Sequence, residues 1–165
     1  LVGSEMCIRD RVETARQMRD AVERALPADA AVMAAAVADW QVLNARDSKI
    51  KKDAQGAAPM LEFAENPDIL AWLGRLTNGR PDLVVGFAAE TDDVLANAKA
   101  KRLRKGADWI VANDVSPETG IMGGPENAVT LITETGAEPW PRMTKPEVAR
   151  RLAERIADTL AGELP

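Results

Sequence analysis

The sequence predicts an α/β protein built on a mostly parallel sheet with helices on both faces. Two observations carry this prediction. Short apolar runs, typical of buried strands, alternate along the chain with longer segments whose apolar residues recur at helical spacing. Capping residues, glycines and prolines stand at the boundaries between these segments. A repeated strand–helix order makes successive strands parallel and packs the connecting helices onto the sheet.

Four helices are predicted, at 12–26, 66–77, 91–105 and 144–160. The last three begin at residues that favour the N-cap position, which are Asn66, Thr91 and Thr144. Glu147 stands three residues after Thr144 and completes the sequence pattern of a capping box. Gly106 ends the third helix, because glycine readily adopts the left-handed conformation found after helix C-termini.

Four strands are predicted, at 30–37, 83–89, 109–112 and 128–133. The first, AAVMAAAV from Ala30 to Val37, is ambiguous because alanine favours helix by intrinsic propensity. We prefer a strand, since the run is short and is bounded by turn-forming residues at 27–29 and by Asp39. The polar segment 41–61 is predicted to be irregular.

The composition excludes several classes of function. The 165 residues suit one compact domain, and no apolar run approaches the roughly 20 residues of a membrane span. The chain has no histidine and one cysteine, Cys7, which excludes an internal disulfide and catalysis by Ser-His-Asp or Cys-His sites. A net charge of -5 argues against a broad nucleic-acid-binding surface. Acid–base chemistry would fall to carboxylates, lysines or the substrate.

Polar residues follow three of the predicted strands directly. They lie in the segments 38–40, 88–91 and 113–115. In open parallel sheets, ligands bind outside the carboxyl ends of the strands, so these segments predict a small-molecule site.

Two clusters of lysines suggest that the ligand carries phosphates. The tetrapeptide KIKK at 49–52 would project Lys49 and Lys51 to one side if extended, and Lys101 and Lys105 share one face of the third helix. A Gly-rich loop that opens a helix, the usual phosphate cradle, is missing from the sequence. The glycines at 120–124 precede a strand and do not replace it.

Seven stretches together resemble the ligase half of the bacterial bifunctional phosphopantothenoylcysteine decarboxylase/phosphopantothenate–cysteine ligase family. They are AAAVADW (34–40), KIKK (49–52), ENPDIL (65–70), VVGFAAET (84–91), KRLRKGADWIVANDVS (101–116), N-x-V (127–129) and TK-x-EVA (144–149). The resemblance runs from Val12 to about Ala161. No stretch is decisive alone, but their common order and spacing are specific.

The resemblance implies a Rossmann-like three-layer fold, a homodimer, a cytoplasmic location and a two-step reaction. CTP, with Mg²⁺, activates the carboxylate of 4'-phosphopantothenate as an acyl-cytidylate, and L-cysteine then displaces CMP. No nucleic acid or membrane partner is implied. The positions that match nucleotide contacts of the family are Met33, Ala34, Ala35, Asp39, Lys49, Pro67, Asp68, Ile69, Leu70, Phe87, Lys101 and Lys105.

The resemblance also suggests roles for three of these residues. Lys49, which matches a catalytic position, would neutralise phosphate charge and hold the activated intermediate. Asp39 is interpreted as a ribose or metal contact, or else as a turn carboxylate at a strand end. Phe87 would help to shape the base pocket, although core packing explains it equally well. No metal ligands are assigned.

The first eleven residues, LVGSEMCIRDR, resemble translated sequencing-adapter read-through rather than the start of a domain. We therefore expect 12–165 to be the C-terminal part of the ligase domain, with the first strand or strands of its sheet missing. The FMN-binding decarboxylase half of the family is likewise not matched. On this expectation, the chain alone would be inactive.

Two other functions stay open at the level of sequence. A nicotinamide-dependent Rossmann oxidoreductase would share the architecture, but its G-x-G-x-x-G turn is not in the sequence. A non-catalytic nucleotide-binding piece would use the same strand ends without the reaction.

Overall fold

A computed structural model describes residues 8–44, 60–121 and 123–162, with the side chain of Glu118 excepted. The chain divides into two compact units. The first comprises residues 1–24 and 36–68, and the second comprises residues 25–35 and 69–165. In the described ranges, no helix is both long and apolar enough to cross a bilayer.

The described elements confirm the predicted α/β class. In chain order they are α1 (Ala15–Arg24), β1 (Ala30–Met33), β2 (Trp40–Val42), β3 (Phe63–Glu65), α2 (Ile69–Gly74), β4 (Leu83–Glu90), α3 (Val94–Lys105), β5 (Trp109–Asp114), a 3₁₀ turn (Pro117–Thr119), β6 (Glu126–Asn127), β7 (Val129–Ile132), β8 (Ala137–Pro139), β9 (Met143–Thr144) and α4 (Lys145–Leu160).

The second unit is built on a five-stranded sheet with the strand order β1-β4-β5-β7-β8. β1, β4 and β5 are parallel, with Met33 opposite Gly86 and Glu90 opposite Asp114. The crossover between β4 and β5 contains α3, as a parallel connection requires. β7 is antiparallel to β5, because its connection is a loop with one 3₁₀ turn and a two-residue strand rather than a crossover helix.

Helices cover both faces of this sheet, as predicted. Side chains alternate between the faces along each strand, so Val85 and Val111 point one way while Val84 and Ile110 point the other. The first face packs against α4 in a core cluster that includes Trp109, Leu131, Trp140, Val148 and Leu152. The second face packs against α2 and α3. Strands buried on both sides explain the near-continuous apolar runs in the sequence.

The predicted strands are confirmed with different limits. The alanine-rich run is a strand, but it ends at Met33 rather than at residue 37. The expectation of irregular structure at 41–61 is wrong at its start, since β2 includes residues 41 and 42. The short strands β3, β6, β8 and β9 were not predicted, because two- and three-residue strands leave no periodic signal.

Two of the predicted helix caps are confirmed and two are wrong. Gly106 follows α3 in the left-handed conformation, and Thr144 and Glu147 form the capping box of α4. Asn66 does not cap α2, which begins at Ile69. Thr91 does not cap α3, which follows Asp93. Both predicted caps have other partners: the Asn66 amide donates to the carbonyl of Ala38, and the Thr91 hydroxyl donates to Asp92.

The first unit contains α1 and a two-stranded ribbon. β2 and β3 are antiparallel, with Trp40 opposite Glu65 and Val42 opposite Phe63. The N–H of Asn66 donates to the carbonyl of Asp39 and continues this pairing. The side chains of Trp40 and Phe63 are largely exposed.

Arg80 joins the amino ends of β4 and β5. Its guanidinium, only 24% exposed, donates to the carbonyls of Gly74, Pro81 and Gly106 at 2.8–3.0 Å and to Asp108 Oδ2 at 2.8 Å. One side chain thereby ties the end of α2, the start of β4 and the end of α3.

The same Asp108 oxygen accepts the backbone N–H of Val84 at 2.7 Å, so the ion pair also fixes β4 beside β5. Gly106 is required here by close approach, because it lies in the left-handed region and a Cβ on it would meet the carbonyl of Gly74 at 3.0 Å.

Arg80→Ala should lower the free energy of unfolding by roughly 1.5–3 kcal/mol, because it leaves Asp108 and three carbonyls without their charged donor. Arg80→Lys should recover little, since an ammonium cannot reproduce the planar fork. Urea unfolding followed by circular dichroism measures both. Arg104→Ala, at an exposed position of α3, is the matched control. Equal stability of the Arg80 and Arg104 variants would show that this cluster does not hold the sheet.

The capping box of α4 predicts a dependence of stability on pH. The Thr144 hydroxyl and N–H both donate to Glu147 Oε2, at 2.7 and 2.8 Å, and hold the pKa of Glu147 below its ordinary value. A carboxyl with a lowered folded-state pKa stabilises the protein above its unfolded pKa, about 4.3 for glutamate, and this stability is lost as the pH falls through the folded value.

Glu147→Gln should therefore lower the melting temperature at pH 7, and its difference from the unaltered protein should shrink below about pH 4. Thermal melts between pH 7 and pH 3 measure this, with exposed Glu134→Gln as the control. A difference that is the same at every pH would contradict the role of the Glu147 charge.

Candidate functional site

The carboxyl ends of the three parallel strands form one edge of the sheet. β4 ends at Glu90 and β5 at Asp114, and these two residues are register partners. β1 ends at Met33, opposite Gly86, and Ala34 follows it in the chain. The edge is anionic, because Asp92 and Asp93 follow β4. A phosphate ligand here would need compensating cations.

The loop after β5 is ordered by its own side chains. Asp114 Oδ1 accepts the N–H of Ser116 at 2.8 Å, and the Thr119 hydroxyl donates to the Ser116 carbonyl at 2.8 Å. The hydrogen bonds from Ser116 hold the pKa of Asp114 below its ordinary value. Asp114 is therefore a carboxylate at neutral pH.

A cavity of about 410 Å³ lies between α4 and the first face of the sheet, within the second unit. Its volume falls in the range of small-molecule sites, roughly 300–1,000 Å³. Most of its wall is aliphatic, with one aromatic ring. The lining residues are Val32, Ala34, Phe87, Asn127, Lys145, Val148, Ala149, Leu152, Ala153 and Ile156.

The two polar residues of the cavity are held by the ribbon that precedes α4. β6 and β9 pair Asn127 with Met143, and the N–H of Lys145 donates to the carbonyl of Pro125 at 3.0 Å. Asn127 Oδ1 is a buried side-chain oxygen without a hydrogen-bond partner, a state that the described part of the chain shows at no other residue. Most buried polar groups are hydrogen-bonded, so this unpartnered oxygen is an exception that needs an explanation.

The structure brings Ala34 and Phe87, two of the sequence-predicted nucleotide contacts, to the wall of this one cavity. Met33 points to the other face, since its register partner Gly86 alternates with Phe87. Leu70 lies over that second face, where a Cβ on Gly86 would come within 2.6 Å of Leu70 Cδ2. Met33 and Leu70 are therefore separated from Phe87 by the sheet.

Ile69 and Ala35 stay in the second unit as well. Ile69 begins α2 and is buried, whereas Ala35 follows β1 and is exposed. Three further predicted contacts lie in the first unit: Asp39 and Asp68 are exposed there and Pro67 is half-buried.

Lys101 and Lys105 lie on the second half of α3, which runs back toward the amino ends of the strands. Gly106 follows Lys105 directly, and the N–H of Asp108 bonds the carbonyl of Val84, near the start of β4. Val84 and Phe87 are three residues apart on β4, roughly 10 Å at 3.3 Å per residue, and α3 packs on the second face of the sheet whereas Phe87 lies on the first. The structure does not place the backbone of Lys105 beside Ala34 and Phe87.

Lys49 and the rest of the KIKK cluster lie outside the described residues. Its expected role is neither supported nor opposed by the geometry. In the described ranges, no group of three or more carboxylates or cysteines is arranged to hold a metal ion. A Mg²⁺ ion carried by a nucleotide needs only one or two carboxylates, because phosphates and waters supply its other ligands. Glu90 and Asp114 could supply them.

Sequence reasoning assigned no role to Asn127 or Lys145. Both residues lie in stretches that carry the family resemblance, N-x-V and TK-x-EVA. Their place in these motifs could have identified them as candidate site residues. They are 18 residues apart in the chain, and only the pairing of β6 with β9 shows that they line the same cavity.

Comparison with known proteins agrees with this fold. The model of the DNA/pantothenate metabolism flavoprotein C-terminal domain family matches residues 4–160. The chain is 36% identical over 155 residues to the coenzyme A biosynthesis bifunctional protein CoaBC of Vibrio vulnificus (strain YJ016), covering 93% of this chain and 38% of that protein. It is 41% identical over 123 residues to CoaBC of Escherichia coli (strain K12), covering 74% and 30%. The chain thus spans less than two fifths of these relatives.

Solved structures show the same fold. The crystal structure of the C-terminal domain of CoaBC matches with a TM-score of 0.71 and 31% identity, covering 93% of this chain and 66% of that one. The DNA/pantothenate metabolism flavoprotein from Streptococcus pneumoniae matches with a TM-score of 0.70 at 17% identity, which bears on the fold alone. On these grounds, the chain belongs to the DNA/pantothenate metabolism flavoprotein C-terminal domain family.

Proposed function

We propose that this chain is part of a phosphopantothenate–cysteine ligase of coenzyme A biosynthesis. The observation that carries the proposal is the family match over 4–160, together with a ligand-sized cavity whose wall contains Ala34 and Phe87. The full activity belongs to the longer protein that contains the chain. The relatives are named bifunctional, which supports a second activity elsewhere in that protein. The family resemblance makes this second activity an FMN-dependent decarboxylase.

The proposed reaction has two steps. The carboxylate of 4'-phosphopantothenate attacks the α-phosphorus of CTP, which forms an acyl-cytidylate and releases pyrophosphate. The amine of L-cysteine then attacks the acyl carbon, forms the amide and releases CMP. The carboxylate is already ionised at neutral pH, so the first step needs no histidine base, in agreement with a chain that has none.

The work left to the protein is positioning and stabilisation of charge. Mg²⁺ bound to the nucleotide would neutralise part of the charge on the leaving pyrophosphate. Lys49 would supply a further positive charge to the phosphates and Asp39 would contact the ribose or the metal. Phe87 and Ala34 would pack against the base.

A dimer of this domain and a cytoplasmic location complete the proposal. Both rest on the family resemblance. The nicotinamide-dependent alternative has less support, because the family match covers most of the chain and no G-x-G-x-x-G turn is in the sequence.

Lys49→Gln in the full-length protein should lower CTP affinity or turnover about 10- to 150-fold. Loss of a charge-assisted hydrogen bond to phosphate costs roughly 1.5–3 kcal/mol, at 1.4 kcal/mol per factor of ten. Lys52→Gln is the matched control, since it would point away from Lys49 in an extended segment. The assay is pyrophosphate release that depends on both CTP and phosphopantothenate, with circular dichroism as the check on folding.

Two results would count against the proposal in different ways. Unaltered protein that releases no pyrophosphate with these substrates would contradict the function itself. Near-normal turnover of Lys49→Gln beside loss of activity in Lys52→Gln would contradict only the placement of the triphosphate.

A further inference from the structure

Asn127 is a polar residue of the cavity wall to which the proposed reaction gives no role. Its Oδ1 is buried and has no hydrogen-bond partner in the described part of the chain. The flanking backbone is fixed, because β6 pairs with β9 and the Arg142 guanidinium donates to Glu126 at 2.8 Å. The carboxamide is therefore held at the cavity by ordered structure.

If the cavity wall were only a packing surface, a buried carboxamide oxygen without a hydrogen bond would lower the stability of the fold. Neighbours such as Val148 and Ala149 are apolar, and an apolar side chain at position 127 would remove the cost of desolvating the oxygen. A ligand that hydrogen-bonds the carboxamide removes the same cost. Asn127 is thus better explained by binding than by packing.

The cavity favours a nucleobase over the other parts of a nucleotide. Its wall is aliphatic apart from Phe87, Asn127 and Lys145. A triphosphate bound here would lose its hydration, and the single positive charge of Lys145 would not compensate for that loss. A base has two apolar faces and one polar edge. It would match aliphatic walls, the Phe87 ring and a single carboxamide.

We infer that Asn127 is a nucleotide-binding residue, whose carboxamide hydrogen-bonds the polar edge of the base while Phe87 packs against the base. This inference rests on the proposed function and adds a base-contacting residue on the ribbon that precedes α4. Lys145, at the first position of α4, lies at the same wall.

The chemistry of the carboxamide gives a specific test of selectivity. Rotation by 180° exchanges its oxygen acceptor and its NH₂ donor, so asparagine can pair with the amino edge of cytosine or with the carbonyl edge of uracil. Aspartate at this position accepts hydrogen bonds only. It would keep a partner in the exocyclic amine of cytosine and repel the O4 oxygen of uracil.

The experiment is calorimetric titration of the full-length protein and its variants with CTP and with UTP, combined with thermal melts. Asn127→Ala should raise the Kd for CTP about 3- to 10-fold, the equivalent of roughly 0.5–1.5 kcal/mol. Asn127→Asp should weaken both nucleotides through its charge and raise the ratio of the UTP Kd to the CTP Kd at least fivefold over the unaltered protein. Asn78→Ala, at an exposed turn position, is the matched control and should change neither value.

Two outcomes would overturn the inference. If Asn127→Ala binds CTP within twofold of the unaltered protein and Asn127→Asp leaves the UTP-to-CTP ratio unchanged, Asn127 does not contact the base. If Asn127→Leu also raises the melting temperature at unchanged affinity, the cavity is a packing surface for polypeptide. Failure of the unaltered protein to bind CTP would instead contradict the proposed function, so the two failures are distinguishable.

Discussion

The in-register parallel pairing of β1, β4 and β5 is the constraint on which the rest of the second unit depends. Parallel strands begin at one edge of the sheet and end at the other, so every polar residue that follows a strand is delivered to the same edge. Glu90 and Asp114 are neighbours for this reason, although they are 24 positions apart in the chain. α3 forms the crossover that connects β4 to the parallel strand β5, and it packs on the second face of the sheet.

The polar groups at the two edges of the sheet differ in how they are hydrogen-bonded. At the amino edge, the Arg80 guanidinium donates to Asp108 and to nearby carbonyls, so the polar groups there pair with one another. At the carboxyl edge this pairing is incomplete. The packing of α4 on the first face leaves a cavity there, and Asn127 brings a buried oxygen that lacks a donor.

Much of the fold could be predicted because burial determines the pattern. β4 and β5 are covered on both faces and show nearly continuous apolar runs, and the capping box of α4 is encoded within four residues. The predictions were wrong where contacts with residues distant in sequence determine the limits of a strand or the partner of a side chain. β1 ends at Met33 by its pairing with β4, although the apolar run continues, and Asn66 is engaged by the carbonyl of Ala38 instead of capping α2.

The site could be predicted only in part for the same reason. Strand ends pointed to the carboxyl edge, and the resemblance named Ala34 and Phe87, which line one cavity. The sequence could not show that α3 returns Lys105 toward the amino edge, because the position of Lys105 follows from the direction of the crossover. Nor could it join Asn127 to Lys145, because a two-residue ribbon has no periodicity to read.

We propose that a nucleotide binds at the carboxyl edge of this sheet, on the face that α4 covers. The most direct measurement is an amide-resolved NMR titration of isotope-labelled protein with CTP. Binding at this edge should concentrate the shifts at Ala34, Phe87 and Asn127 and leave the amides of Arg80 and Asp108 unchanged. Shifts concentrated at the amino edge, or none at saturating CTP in a folded sample, would contradict it.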